Sequence, residues 1–187
     1  MSKLQNKQKI IEVKYEELEQ YDSWDDEVMD KKEERYAFCI GSFLIRFSNL
    51  EHSLDIELAN LINDRSHDDG YIIIKDLELF EKIELYYNLA FVRVNLAEKR
   101  KALKLKQLGT IRKQLEELAR LRNKIAHAKW NTLDKDDFVR VDTKTNKENG
   151  LIKFRKFKIT PTIMKQSMLD IANLDEKLSA FTDNIWQ

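Results

Sequence analysis

The sequence predicts a mainly helical fold: an antiparallel bundle of four to five helices with a small β-hairpin inserted before the last helix. Three observations predict it. Glycine (4) and proline (1) are scarce among the 187 residues, and 35% of the chain is charged, which suits helices and lacks the turn residues of a sandwich or barrel. Apolar residues recur at spacings of three and four over several long stretches. The period drops to two only between about residues 137 and 160.

Taken in order, residues 4–20 read as a short amphipathic helix with Leu4, Ile11, Tyr15 and Leu18 on one side. Residues 1–25 thus form an N-terminal helical appendage, and Ser23 or Asp25 can cap the next helix. Residues 26–187 read as a single domain. A long helix spans about 27–63, with Phe38, Phe43, Phe47, Leu50, Leu54, Leu58, Leu61 and Ile62 in register and a bend expected near Gly41 or Ser42. "NDRSHDDG" (63–70) reads as a loop, and "YIII" (71–74) as a strand fragment or the opening of a helix. A third helix is expected over about 76–101, with a stripe of Leu77, Phe80, Glu84, Tyr87, Phe91 and Val94. A fourth covers about 102–128, with Leu108, Ile111, Leu115, Leu118, Arg122 and Ile125 in one register.

"FVRV" (138–141) and "LIKFRKFKI" (151–159) alternate about an Asn149-Gly150 turn. A slip between Phe154 and Phe157 predicts a bulge on the second strand. Thr160-Pro161 opens the last helix, with proline in its first turn and Ile163, Met164, Met168, Ile171, Leu174, Leu178 and Phe181 as its apolar stripe.

The net charge is zero but unevenly spread. Residues 92–130 hold twelve Lys/Arg against three Asp/Glu, and residues 138–165 hold eight against two. A basic C-terminal half hints at a polyanionic partner, although on charge alone a solvated helix surface is the favoured reading. The one cysteine, Cys39, lies in the apolar run "AFCIGSFLI" and reads as a buried structural thiol. No apolar run approaches the ~20 residues that span a bilayer, and the N-terminus lacks the apolar core of a signal peptide. A soluble cytoplasmic protein without membrane association is expected.

One stretch looks like chemistry. "LARLRNKIAHAKW" (118–130) places Arg122 where periodicity assigns a core residue. A guanidinium there must be paired or face a cleft. His127 lies five residues on, about 140° around a regular helix from Arg122. The two converge only if the helix loosens near His127, or if a second copy of the helix supplies the other partner, as in a symmetric dimer. Imidazole can take or give a proton near neutral pH, and guanidinium binds a phosphate by two hydrogen bonds. Together they suit cleavage of RNA without a metal. The 2′-hydroxyl attacks the neighbouring phosphate, a base takes its proton, and an acid protonates the leaving 5′-oxygen. DNA lacks that hydroxyl. On spacing alone, cations at a helix C-terminus are also simply favoured by the macrodipole.

"LRNKIAH" (121–127) resembles the Arg-Asn-x-x-x-His motif of the HEPN superfamily, a helical family with many RNA-cleaving members. "FSNLEHSLDIEL" (47–58) and "FEKIELYYNL" (80–89) resemble its other helices, so the likeness covers roughly Tyr36 to the C-terminus. It implies a HEPN-like domain over 26–187, with Arg122 and His127 as catalytic residues. Asn123 would orient the histidine or a phosphate oxygen. It further implies a homodimer with the motif in a shared cleft, and a role as a toxin or antiphage defence effector with an antitoxin or regulatory protein as partner. HEPN toxins paired with a nucleotidyltransferase often carry tyrosine two residues past the histidine; Lys129 stands there, which argues against that pairing. The family also has members that bind RNA, nucleotide or a partner protein without cutting, and this is the alternative reading.

Other candidates come from the residues themselves. Lys124, Lys129 and Trp130 are candidate RNA contacts; the Trp130 ring can stack on a base, although its place favours a core or interface role. Glu51 is a candidate cleft residue that would pair with Arg122. Arg112, Lys113 and their neighbours, with Lys153, Arg155, Lys156 and Lys158 of the hairpin, could guide RNA. There is no HExxH, no Cys/His cluster and no glycine-rich phosphate loop, so neither a metal nor another cofactor is expected. His52 and His67 read as surface residues.

Overall fold

A chain with so few helix breakers forms long helices. The computed structural model describes residues 10–14, 26–96, 100–134, 136–145, 150 and 152–185. Strand β1 (Ile10–Lys14) precedes helices α1 (Asp26–Ile62), α2 (His67–Ile74), α3 (Leu79–Leu96) and α4 (Lys101–His127). A short 3₁₀ turn (Trp130–Thr132), strands β2 (Phe138–Thr145) and β3 (Ile152–Lys158), and helix α5 (Pro161–Ile185) complete the order. The fold is mainly α with one small antiparallel sheet. Among the described residues no helix is long and apolar enough to cross a membrane.

The chain divides into two compact units, one of residues 1–42 and 123–165, the other of 43–122 and 166–187. α1 is unbroken through Gly41 and Ser42, where the sequence suggests a bend, and the unit boundary falls just there.

The second unit is helical. Phe43, Phe47, Leu50, Leu54 and Leu58 of α1 are buried in the predicted register, as are Leu108, Ile111, Leu115 and Leu118 of α4 and Ile171, Leu174, Leu178 and Phe181 of α5. Phe38, expected in the α1 stripe, is 73% exposed. The stripe expected on α3 is corrected. Its buried face is Lys82, Ile83, Tyr86, Ala90 and Val94, while Phe80 and Phe91 are 39% and 40% exposed. The aromatic rings suggest one face, but cations cover them at the surface: Arg112 over Tyr87 at 4.5 Å and Arg120 over Phe80 at 5.9 Å. The buried Lys82 amine is held by Asp55 at 2.9 Å and Glu51 at 3.8 Å, one turn apart on α1. The Tyr86 hydroxyl meets Thr182 at 3.1 Å.

Residues 63–70 are not all loop, and "YIII" is helical: α2 begins at His67 and holds Gly70. Gly70 is buried against α1, where an added Cβ would stand 2.5 Å from the Ala59 Cα. The glycine permits this close helix–helix approach rather than a turn.

The first unit holds the sheet. Its order is β1-β3-β2, with β3 central and both neighbours antiparallel. Residues 10–14 are therefore a strand, not part of a helical appendage; the flanking Leu4, Tyr15, Leu18, Ser23 and Asp25 lie outside the described residues. "IIEVK" is β-branched and pairs Ile11 with Lys156 and Val13 with Phe154. The expected bulge on β3 is also corrected. β3 is regular, and the register shift falls on β2 between Arg140 and Asp142. The sequence suggests a slip because Lys156 sits where an apolar residue should. Lys156 is in fact buried, 7% exposed, with its amine 2.7 Å from Asp134 Oδ2. Asp134 Oδ1 accepts the Asp136 and Phe138 amides at 3.0 and 2.9 Å, so both carboxylate oxygens are engaged. Phe154, Phe157, Val139, Tyr36 and Cys39 are buried in this unit. Thr160 caps α5, its Oγ1 accepting the Ile163 amide at 3.2 Å, with Pro161 in the first turn.

Two substitutions test this packing. Gly70→Ala should destabilise the protein by about 1–3 kcal/mol, because backbone rather than a flexible side chain blocks the methyl; urea unfolding reads this. Burial raises the Glu57 carboxyl above its ordinary range, against hydrogen bonds with Ser179 and Thr182 that lower it. As pH rises, the unfolded chain loses this proton first, so ionised Glu57 opposes folding at neutral pH. Glu57→Gln should therefore raise Tm at neutral pH, and the gain should vanish near about pH 3, where both states are protonated.

Candidate functional site

Helix α4 carries the motif on its last two turns and ends at His127. It is regular through Arg122, Asn123 and His127, so the helix does not loosen as one route to convergence required. Arg122 is half-buried. It flanks the fully buried Leu118, Ala119, Leu121 and Ile125, at the edge of the apolar stripe rather than inside it. Asn123 is likewise half-buried, and His127 is exposed. The unit boundary falls between Arg122 and Asn123.

Beyond His127 the chain is held tightly. The Trp130 indole Nε1 donates to the Ile125 carbonyl at 2.9 Å, one of the carbonyls that a helix end leaves without a partner. The Trp130 ring lies 5.9 Å from that of Tyr36. The Lys129 amide donates to the Arg140 carbonyl at 2.8 Å, and the Lys129 carbonyl accepts the Thr132 amide at 2.8 Å. Backbone bonding thus docks the end of α4 on β2, while the Lys129 side chain is exposed. The Lys124 amine sits 4.7 Å above the Phe157 ring. Trp130 has a structural role whatever else it does, and Lys124 is spread on an aromatic surface.

Compared with known protein families, curated proteins and solved structures, the chain matches none. Its site is read from its own residues.

The cations expected to guide RNA divide sharply. Arg112 is bonded to Glu84 and Glu116, and Arg120 to Glu116 at 2.7 Å. Arg112 and then Arg120 hold the Glu116 carboxyl below the usual carboxylate range. On the sheet, Arg155 pairs with Asp142, Lys153 with Glu12 at 3.4 Å and Lys156 with Asp134. Lys158 lies over Phe138 at 5.4 Å. Arg112, Lys153, Arg155 and Lys156 are thus compensated locally. Glu51, expected beside Arg122, forms its ion pair with Lys82, because a buried amine needs a carboxylate. Among the described residues no group of three His, Cys, Asp or Glu side chains could hold a metal ion. His52 and His67 are exposed, and Cys39 is buried.

Sequence reasoning missed one cluster. Lys32, Tyr36, Asp134 and Asp137 meet in the first unit. The Lys32 amine donates to the Asp134 carbonyl at 2.8 Å and lies 3.1 Å from Asp137 Oδ1. The Tyr36 hydroxyl is shared between Asp137 Oδ1 at 2.7 Å and the Ile159 carbonyl at 3.0 Å. Burial, then the Asp137 bond, pushes the Tyr36 phenol far above its usual range, so it stays a donor. Asp137 has φ 67, a left-handed conformation that aspartate tolerates better than most residues. The only sequence sign was a run of acids directly before a strand.

Trp130→Phe keeps an aromatic face but loses the donor to Ile125. It should lower stability by about 1 kcal/mol in urea unfolding.

Proposed function

We propose that this protein is a metal-independent endoribonuclease of the HEPN type. Arg122 binds the scissile phosphate and holds the charge that grows on it. His127 moves the proton between the 2′-hydroxyl and the leaving 5′-oxygen. Asn123 orients the histidine or a phosphate oxygen. The observation that carries this reading is the end of α4, where Arg122, Asn123 and an exposed His127 succeed one another on a regular helix.

That regularity also supports a homodimer. Side chains 140° apart on one helix diverge, so each site takes its arginine from one copy and its histidine from the other. Lys124, Lys129 and Trp130 flank the motif as RNA contacts. The resemblance of the motif extends the proposal to a toxin or antiphage effector restrained by a regulatory protein.

Labelled RNA and matched DNA, incubated with the protein in EDTA, test this. The wild type should cleave RNA, spare DNA and leave 2′,3′-cyclic phosphate ends. His127→Ala should lose about 10²–10⁴-fold, and Arg122→Ala a comparable amount. RNA that is bound but never cut, or cleavage indifferent to both substitutions, would overturn the enzyme and leave a HEPN-like binding module.

A further inference from the structure

In the second unit, a cavity of about 430 Å³ lies between α4 and α5, a volume in the range of small-molecule sites. Its apolar walls are Leu103 and Ile111 of α4 and Ala180 and Phe181 of α5. The two helices are tied at one end, where the Lys104 amine donates to the Asn184 carbonyl at 2.7 Å.

The polar groups of the lining are of two kinds. Some are satisfied by their own helix. The Thr110 hydroxyl donates to the Lys106 carbonyl at 2.9 Å, and the Asn184 side-chain amide donates to the Ala180 carbonyl at 2.6 Å. Gln114, which also lines the cavity, is different: its Oε1 is buried and has no hydrogen-bond partner among the described residues. A buried acceptor left unpaired costs stability, and a donor brought in by a ligand removes that cost. The lining also holds Lys106 and Lys177, both exposed, and among the described residues it holds no carboxylate. Neither lysine has an acid three or four positions away on its own helix, and neither has an ion-pair partner among the described residues.

A ligand that fits this lining has an apolar body, a hydrogen-bond donor within it and a negative charge at the mouth. A fatty acid supplies the first and the last but leaves Gln114 unpaired. A nucleotide supplies all three. A glutamine amide pairs with adenine through the N6 amino group and a ring nitrogen. Adenine also has no carbonyl oxygen to bury against Leu103, Ile111 and Phe181, whereas each of the other bases brings at least one.

We propose that this cavity binds an adenine nucleotide, with the base paired to the Gln114 amide and the phosphate held by Lys106 and Lys177. None of Arg122, Asn123 and His127 lines it, so the site stands or falls separately from RNA cleavage.

Calorimetric titration of the full chain with AMP tests it, with GMP, CMP, UMP, adenosine and decanoate for comparison. AMP should bind saturably, and about tenfold more tightly than the other nucleotides or adenosine. Gln114→Leu should weaken AMP binding about tenfold, and Lys177→Glu by a similar factor. Lys75→Glu, on the exposed end of α2, should leave it unchanged. Gln114→Leu also removes the unpaired oxygen, so its urea midpoint should stay the same or rise, which separates lost binding from misfolding. No saturable binding of AMP, equal affinity for GMP, CMP or UMP, or binding of decanoate alone would overturn the proposal. So would AMP binding that both Gln114→Leu and Lys177→Glu leave unchanged.

Discussion

The hydrogen bond from the Trp130 indole to the Ile125 carbonyl fixes where α4 ends and in what shape. A helix leaves its last four carbonyls without partners, and such ends commonly fray or tighten. Here one of those carbonyls is occupied by a side chain whose ring is itself fixed against Tyr36. The residue before it, Lys129, is bonded through its amide to β2. The last turn of α4 is thus held helical through His127. That constraint holds His127 on the last helical turn, and it places the start of β2 against the end of the helix.

Charge in this protein is spent mostly on architecture. Lys156 and Asp134 form a buried pair whose remaining acceptor capacity goes to two backbone amides. Buried pairs of this kind add little net stability, but losing one partner is expensive, so they fix one arrangement of strand and loop. Lys82 plays a similar part on α3, with two carboxylates of α1. On the surface, Arg112, Glu116 and Arg120 form an i, i+4 ladder worth a few tenths of a kcal/mol per pair. The basic stretches of the sequence are therefore less electropositive than their composition suggests.

The helices α1, α4 and α5 were legible because a 3.6-residue stripe needs no distant partner to be read. α3 was located but its face was misread: Ala90 and Lys82 are buried, and neither carries the weight in a pattern that a phenylalanine does. α2 was hidden because Gly70 reads as a loop residue, whereas its use is to let two helices touch at Ala59. β1 reads as helix in the sequence because its partner lies about 140 residues away. The bulge was assigned to the wrong strand because a buried lysine mimics a slip. At the candidate site, the residue types and the end of the helix were legible from the sequence. The engagement of Glu51 by Lys82, and of Arg112, Lys153, Arg155 and Lys156 by acids, was not, since each depends on neighbours that the local pattern does not show.

A site shared between two copies makes a sharp demand. Arg122→Ala and His127→Ala proteins, each inactive alone, are mixed in equal amounts and allowed to exchange subunits before RNA is added. In the mixed dimer, one site has lost both residues and the other has both intact. Random exchange should then restore about a quarter of wild-type cleavage. A mixture that stays as inactive as its components, with subunit exchange demonstrated, would contradict the shared site.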